Sequence, residues 1–107
     1  MRVKAIELIH LDIPFKAHAG KHLKYWLPHW RISQICRLTF DNGIEGLGEA
    51  FHSIDEPIEA SLWKFERWLK GKDPTRILHN WQAIYRGLRY PLGTAELSAL
   101  SAIELAL

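Results

Sequence analysis

The segment from residue 32 to residue 50 constrains the fold more than any other part of the chain. Its first ten residues, ISQICRLTFD, alternate between apolar and polar side chains, which is typical of a strand with one buried face. Asn42-Gly43 comes next, followed by the second strand-like run, IEGLGEAF. An Asn-Gly pair between two such runs indicates a tight hairpin, because both central residues of the turn need a positive φ. We therefore predict an antiparallel hairpin over residues 32–50.

The residues before the hairpin predict a further strand. Residues 3–13, VKAIELIHLDI, are rich in aliphatic and β-branched side chains, and Pro14 ends the run. The apolar side chains change phase at Leu8-Ile9, and a β-bulge at that point would explain the change. We expect this strand to join the hairpin in a three-stranded antiparallel sheet.

After residue 50 the apolar spacing changes to that of helices, and three helices are predicted. Asp55, Asp73 and Thr94 are suitable N-terminal caps, and Gly71 suits the C-terminal cap of the first helix. Strands followed by helices make an α+β chain, a three-stranded antiparallel β-meander followed by a three-helix bundle. The expected inward-facing side chains are Ile58, Leu62, Phe65 and Leu69, then Ile77, Leu78, Trp81, Ile84, Tyr85 and Leu88, and finally Leu97, Leu100, Ile103 and Leu107.

Length and composition exclude several classes of protein. The 107 residues suffice for one domain, and five Trp, three Tyr and four Phe argue against intrinsic disorder. Charged residues interrupt every apolar run before 18 positions, so we expect no membrane span. The first residues lack the pattern of a signal peptide, and the one cysteine, Cys36, has no partner for an internal disulfide. A cytoplasmic protein is therefore expected.

The charges are unevenly distributed, although the net charge is only +2. Residues 14–31 contain Lys, Arg and His but no acid, whereas residues 43–59 contain five acids and no Lys or Arg. The basic segment shows neither a strand nor a helix period, and it contains four aromatic residues. Long segments of this kind are commonly lids or binding loops, and the positive charge suits an anionic ligand.

Four stretches, in this order and spacing, carry a resemblance to a known family. They are MRVKAIELIHLDIPF at the start, TFDNGIEGLGEA over residues 39–50, KGKDP over residues 70–74, and AELSALSAIELAL at the end. With them the chain resembles the N-terminal capping domain of the enolase superfamily, of the mandelate racemase and muconate lactonizing enzyme type. One departure is Glu104, where that family more often has Asp.

The resemblance implies a capping (lid) domain over residues 1–107 of a longer, truncated enzyme, an isomerase or lyase. In that family Mg²⁺ binds the substrate carboxylate and a Lys or His base removes the α-proton, as in racemases, cycloisomerases and acid-sugar dehydratases. These residues belong to a (β/α)₇β barrel that follows the domain and is absent here. We therefore assign no catalytic or metal-binding residue and expect this segment to bind no Mg²⁺. The parent enzyme is expected to be a homo-oligomer.

The resemblance also implies that two loops, at about residues 15–30 and 51–56, close over the carboxylate substrate. The residues that we select for this substrate-binding lid are Phe15, His18, Lys21, Lys24, Trp26, Phe51 and His52. The spacing of His18 and His22 would place two imidazoles on one face of a helix, as in some metal sites. Gly20 disfavours a helix there. His29 is near in the sequence, but no carboxylate or cysteine completes the set, so lid or surface histidines are favoured.

Other functions stay open at this point. A stand-alone anion- or nucleic-acid-binding module would use the basic, aromatic loop 14–31 for phosphate contacts and stacking. The low net charge and the lack of an RNA-binding motif oppose it, and we expect no nucleic-acid partner. A structural dimerisation domain is the third possibility. Gly46 and Gly48 lack the context of a phosphate-binding loop, and they more simply permit a bulge or a close backbone approach. For Glu49 we favour a structural hydrogen bond or an interdomain contact.

Overall fold

The computed structural model describes residues 1–16, 32–50, 58–88 and 93–107. Its elements, in chain order, are β1 (Val3–Asp12), β2 (Ile32–Phe40), β3 (Glu45–Ala50), α1 (Glu59–Leu69), α2 (Ile77–Gly87) and α3 (Thr94–Ala106). The strands form one antiparallel sheet in the order β1-β2-β3, and the helices follow it in the chain. The predicted α+β class, with a β-meander followed by helices, is therefore confirmed.

The hairpin between β2 and β3 is confirmed, but its turn differs from the expected type. The Phe40 N–H donates to the Ile44 carbonyl at 2.9 Å, and the Gly43 N–H donates to the Phe40 carbonyl at 3.0 Å. Gly43 has a φ of 85°, and no residue other than glycine in the described part has a positive φ. Only Gly43 therefore needs the left-handed conformation, as in a three-residue hairpin loop that ends on an αL residue. The Asn42 side chain contributes differently, by accepting the Ile44 N–H at 3.1 Å.

The pairing of β1 with β2 corrects the expected position of a bulge. The register shift lies between Val3 and Ala5, and the pairing is continuous from Ala5 to Asp12. The bulge expected at Leu8-Ile9 is therefore wrong. Ordinary strand alternation explains the change of phase, because Leu8 packs towards the helices and Ile9 lies on the opposite face.

The helices cover one face of the sheet, and the core lies between the two layers. The inward positions predicted for α1 are all buried. On α3, Leu100 and Ile103 are buried, whereas Leu97 remains 43% exposed. The buried apolar cluster comprises Val3, Cys36, Leu38, Phe40, Ala50, Ile58, Leu62, Phe65, Leu69, Ile84, Ala99, Leu100, Ala102, Ile103 and Ala106.

The buried face of α2 is narrower than predicted. Asn80 is 4% exposed and donates from its side-chain amide to the Asp73 carbonyl at 2.7 Å, so a polar residue occupies part of this face. Leu78 and Tyr85, predicted to point inward, are 67% and 47% exposed. Tyr85 instead stacks on Trp81, with ring centroids 4.9 Å apart. Ile77, also predicted to point inward, is 39% exposed. The inward assignment of Ile77, Leu78 and Tyr85 is therefore wrong, because α2 lies at the margin of the core.

Local chemistry fixes the helix ends. Gly71, with a φ of 79°, follows the end of α1 as predicted, and its N–H donates to the Val3 carbonyl at 2.8 Å. Asp73 accepts the Thr75 N–H at 2.9 Å, which supports the turn that leads into α2. Asp73 is not the predicted cap, because Arg76 precedes the helix without a side-chain cap. Thr94 is the first residue of α3 and not its cap; Gly93 precedes the helix without a side-chain cap. The predicted cap Asp55 lies outside the described residues.

Where α3 packs on β3, the two backbones approach so closely that two positions of the strand, Gly46 and Gly48, require glycine. A Cβ atom placed on Gly46 would lie 2.8 Å from the carbonyl carbon of Ala106 and closer still to its oxygen. A Cβ atom on Gly48 would meet the Ala102 carbonyl in the same way. The predicted close backbone approach at these glycines is therefore confirmed. Within the described ranges, no helix combines the length and the apolar character that a membrane span needs.

Candidate functional site

One end of the sheet brings together the described residues that flank the two predicted lid loops. β1 finishes at this end with Asp12, which pairs with Ile32 at the start of β2. β3 finishes at the same end with Ala50, which pairs with Gln34. Because neighbouring antiparallel strands lie about 4.8 Å apart, the attachment points of both loops are close in space. We refer to this end of the sheet, Asp12, Ile32 and Ala50, as the loop edge.

A short hydrogen bond joins two strands near the loop edge. The Ser33 hydroxyl donates to Oε1 of Glu49 at 2.6 Å. Ser33 is only 5% exposed, so its orientation is restricted by packing, whereas the rest of the Glu49 side chain is exposed. The structural hydrogen bond predicted for Glu49 is therefore present. It links the residue three positions after the first loop to the residue two positions before the second.

The face of the sheet opposite the helices forms an open groove of about 510 Å³. Its floor is apolar, with Ile9 and Ile35 partly buried and Leu47 61% exposed. An antiparallel sheet with one face on the core normally presents polar side chains on the other face, so this apolar floor is unusual. The residues that line the groove are Ile9, Leu11, Ile35, Arg37, Glu45, Leu47, Gly48 and Glu49.

Among the described residues that line the groove, Arg37 is the only cation, and its charge is already compensated. Its Nε donates to Oε2 of Glu7 at 3.0 Å, and its Nη2 contacts the same oxygen. The hydrogen bond with Glu7 and the charge of Glu7 raise the pKa of Arg37, with a smaller contribution from Glu45. Because the guanidinium group is already paired with the Glu7 carboxylate, the groove is a poor site for an anionic ligand.

The described part of the chain contains one of the seven predicted lid residues. Phe15 is partly buried just after the end of β1. The other six, His18, Lys21, Lys24, Trp26, Phe51 and His52, lie outside the described residues. Their joint placement around a ligand therefore stays a prediction.

The groove is the feature that sequence reasoning missed. Its signal is present in the sequence, since Ile35 and Leu47 interrupt the polar face of the hairpin. Each is flanked by polar residues on that face of its own strand. Only the pairing of the strands places Ile35 opposite Ile9 and Leu47 opposite Arg37, the next residue of β2 on the same face.

The described residues do not fit a metal centre. No group of three His, Cys, Asp or Glu side chains within those ranges could hold an ion. We therefore assign no Mg²⁺ ligand to them and derive no chemical step from a metal in this chain.

Comparison with known proteins places this fold in context. No family model matches the chain. Over 81 residues, 75% of its length, it is 37% identical to the D-galactonate dehydratase of Variovorax paradoxus (strain S110), and the match covers 20% of that enzyme. It superposes on the crystal structure of an enolase from Agrobacterium radiobacter, solved with bound sodium and L-malate. The TM-score is 0.76 at 25% identity, over 99% of this chain and 23% of the other. The resemblance to the enolase superfamily is confirmed.

A further enolase-superfamily structure supports the assignment of the fold. A mandelate racemase/muconate lactonizing enzyme from Sulfitobacter sp. superposes with a TM-score of 0.74 at 23% identity, over 99% of this chain and 25% of the other. The chain thus has the fold of an enolase-superfamily capping domain and spans about a fifth to a quarter of these relatives. The remaining three quarters to four fifths of these relatives lie outside the match.

Proposed function

We propose that this chain is the substrate-capping domain of a metal-dependent enolase-superfamily enzyme that acts on an acid-sugar carboxylate. The observation that carries the proposal is the loop edge, where the flanks of both predicted lid segments meet. The Ser33–Glu49 hydrogen bond supports it, because it ties the two strands together next to those flanks. The 37% identity to a D-galactonate dehydratase supports an acid-sugar substrate.

In this proposal the chain selects and encloses the substrate but performs no bond-breaking step. Lys21 and Lys24 attract the carboxylate, and Phe15 and Trp26 exclude water when the loops close. Phe51 and His52 contact the substrate from the second loop. In the parent enzyme, Mg²⁺ bound outside these 107 residues would supply stabilisation of the negative charge on the substrate carboxylate. The proposed parent is a cytoplasmic, homo-oligomeric isomerase or lyase.

A chimaera tests the capping role. Residues 1–107 replace the matching segment of the Variovorax paradoxus D-galactonate dehydratase, and keto-acid formation is measured with a series of acid sugars. We expect Lys21→Ala and Lys24→Ala to raise KM about tenfold each, with a smaller effect on kcat, because they remove attraction for the carboxylate. Lys64→Ala is the matched control, since Lys64 is an exposed lysine on α1, away from the loop edge.

Two results would contradict the proposal. One is an equal rise in KM for Lys64→Ala, measured in a chimaera whose circular dichroism shows that it is folded. The other is turnover of an acid sugar by the isolated 107 residues. Filter binding with single-stranded DNA separates the competing function: sub-micromolar affinity that falls steeply with salt would favour a nucleic-acid-binding module.

A further inference from the structure

The outer edge of β3 carries unpaired backbone groups. β3 is the last strand of the sheet in the described residues, and its inner edge pairs with β2. The hydrogen bond from the Phe40 N–H to the Ile44 carbonyl sets the alternation along the hairpin. By this alternation, Glu45, Leu47 and Glu49 direct their N–H and C=O groups away from β2. Within the described ranges, β2 is the only strand that pairs with β3.

The side chains of the same three residues form a regular pattern on the groove face. Leu47 is 61% exposed and lies between the carboxylates of Glu45 and Glu49, both exposed residues. Oε1 of Glu49 also accepts the Ser33 hydroxyl. The two glutamates are four positions apart, which places their Cα atoms about 13 Å apart along the strand. Arg37 is compensated by Glu7, so the charge of this edge is negative. The edge therefore combines free hydrogen-bonding groups with an acid–apolar–acid sequence of side chains.

This pattern opposes pairing with a second copy of the chain. Antiparallel pairing of two β3 strands about Leu47 would place Glu45 of each copy opposite Glu49 of the other. Like charges directly opposite each other on neighbouring strands are destabilising, and charged side chains are a common protection of exposed edges. Packing of two groove faces would likewise bring carboxylates together. The two glutamates thus select against self-association at this edge.

The same pattern favours a basic strand. We propose that the outer edge of β3 binds an extended segment of a partner protein in which two Lys or Arg residues, four positions apart, flank an apolar residue. The partner's backbone pairs with Glu45, Leu47 and Glu49, its basic side chains lie opposite the two carboxylates, and its apolar side chain packs on Leu47. In such strand addition the backbone bonds supply affinity and the side chains supply specificity. This inference does not depend on the proposed capping function.

The test uses the ¹⁵N-labelled 107-residue chain and the peptide Thr-Lys-Thr-Val-Thr-Lys-Thr, followed by NMR. We expect shifts and slowed hydrogen exchange at the amides of Glu45, Leu47 and Glu49. The peptide with Glu in place of both Lys residues should bind at least tenfold more weakly. The double variant Glu45→Lys with Glu49→Lys should reverse this preference. Glu104→Lys, at an exposed position of α3, should change neither affinity more than twofold.

A backbone variant makes the test independent of charge. Leu47→Pro removes one outward N–H at an edge position where proline is tolerated, and it should reduce binding at least tenfold. If Leu47→Pro is unfolded by circular dichroism, the charge-reversal pair decides the question. Equal binding of the Lys and Glu peptides, or shifts confined to the helices, would overturn the proposal. The proposal would also be overturned if sedimentation showed that the wild-type chain forms dimers and that the charge-reversal variant is monomeric.

Discussion

The contact between α3 and Gly48 gives a prediction whose size follows from the structure. A Cβ atom on Gly48 would lie 2.9 Å from the carbonyl carbon of Ala102, closer still to its oxygen, and 3.0 Å from the Ala106 nitrogen. All three atoms belong to the main chain of a helix, so no side-chain rotation relieves the overlap. Gly48→Ala therefore forces α3 away from β3, over a region that carries much of the core.

We expect Gly48→Ala to lower the free energy of unfolding by about 3 kcal/mol, the upper end for overpacking in a core. A small domain is stable by about 5–15 kcal/mol, and each kcal/mol corresponds to about 4–8 °C in Tm. The Tm should therefore fall by at least about 12 °C. Urea unfolding followed by tryptophan fluorescence measures the change, and an unchanged m-value shows that the transition remains comparable.

Two controls separate this steric effect from the general cost of replacing glycine. Gly43→Ala adds a Cβ atom with nothing within 4 Å, but at a φ of 85°. It should cost about 1 kcal/mol, from backbone strain alone. Ala102→Gly should not rescue Gly48→Ala, because the obstacle is the Ala102 carbonyl and not its methyl group. A loss for Gly48→Ala no larger than for Gly43→Ala, or rescue by Ala102→Gly, would refute the reasoning.

Three further predictions concern the core and the turn before α2. Burial raises the pKa of Cys36 from 9.0 to about 12, so iodoacetamide should label it at pH 8 only after unfolding. The free energy of unfolding should fall between pH 9 and 12, and Cys36→Ala should reduce that fall. Hydrogen bonds from Thr75 lower the pKa of Asp73. The stabilisation by the Asp73 carboxylate is therefore present above about pH 4 and is lost as the pH falls through the lowered pKa. Unfolding curves in acid should show the difference in free energy of unfolding between wild type and Asp73→Ala decreasing to zero. Phe65→Ala should lower the free energy of unfolding by about 3–5 kcal/mol, measured in urea, because the ring is fully buried; an effect below 1 kcal/mol would place Phe65 outside the core.

The elements could be predicted because their signals are local. The Asn42-Gly43 turn, the apolar spacing of α1 and the glycine at position 71 each act within a few residues. The structure corrects the details where a local signal has two solutions. In β1, both faces carry apolar residues, and this pattern resembles the change of phase that a bulge produces. The sequence alone does not show that the face opposite the helices lines a groove. In α2, apolar spacing predicts a wide buried stripe, but Asn80 occupies part of that face.

The candidate site was harder to predict because its described contacts join distant residues. Ser33 and Glu49 are 16 positions apart, and Arg37 and Glu7 are 30 apart. Residue types alone suggest neither pair, since many serines and acids are available. The antiparallel register, once known, brings both pairs within reach. The lid residues from His18 to Trp26 were selected through the family resemblance, and they await the chimaera experiment.

The run EGLGEA shows why one short motif can serve two purposes. Strand alternation directs Gly46 and Gly48 towards α3, where only glycine fits, and directs Glu45, Leu47 and Glu49 to the open face and the outer edge. Substitutions at the two glycines should therefore change stability first. Substitutions at Glu45 and Leu47 should leave the fold intact and change what the edge binds, whereas substitutions at Glu49 also remove the hydrogen bond to Ser33. A folded Gly48→Ala variant with wild-type stability, or an unfolded Glu45→Lys variant, would show that the two faces of β3 are not separable in this way.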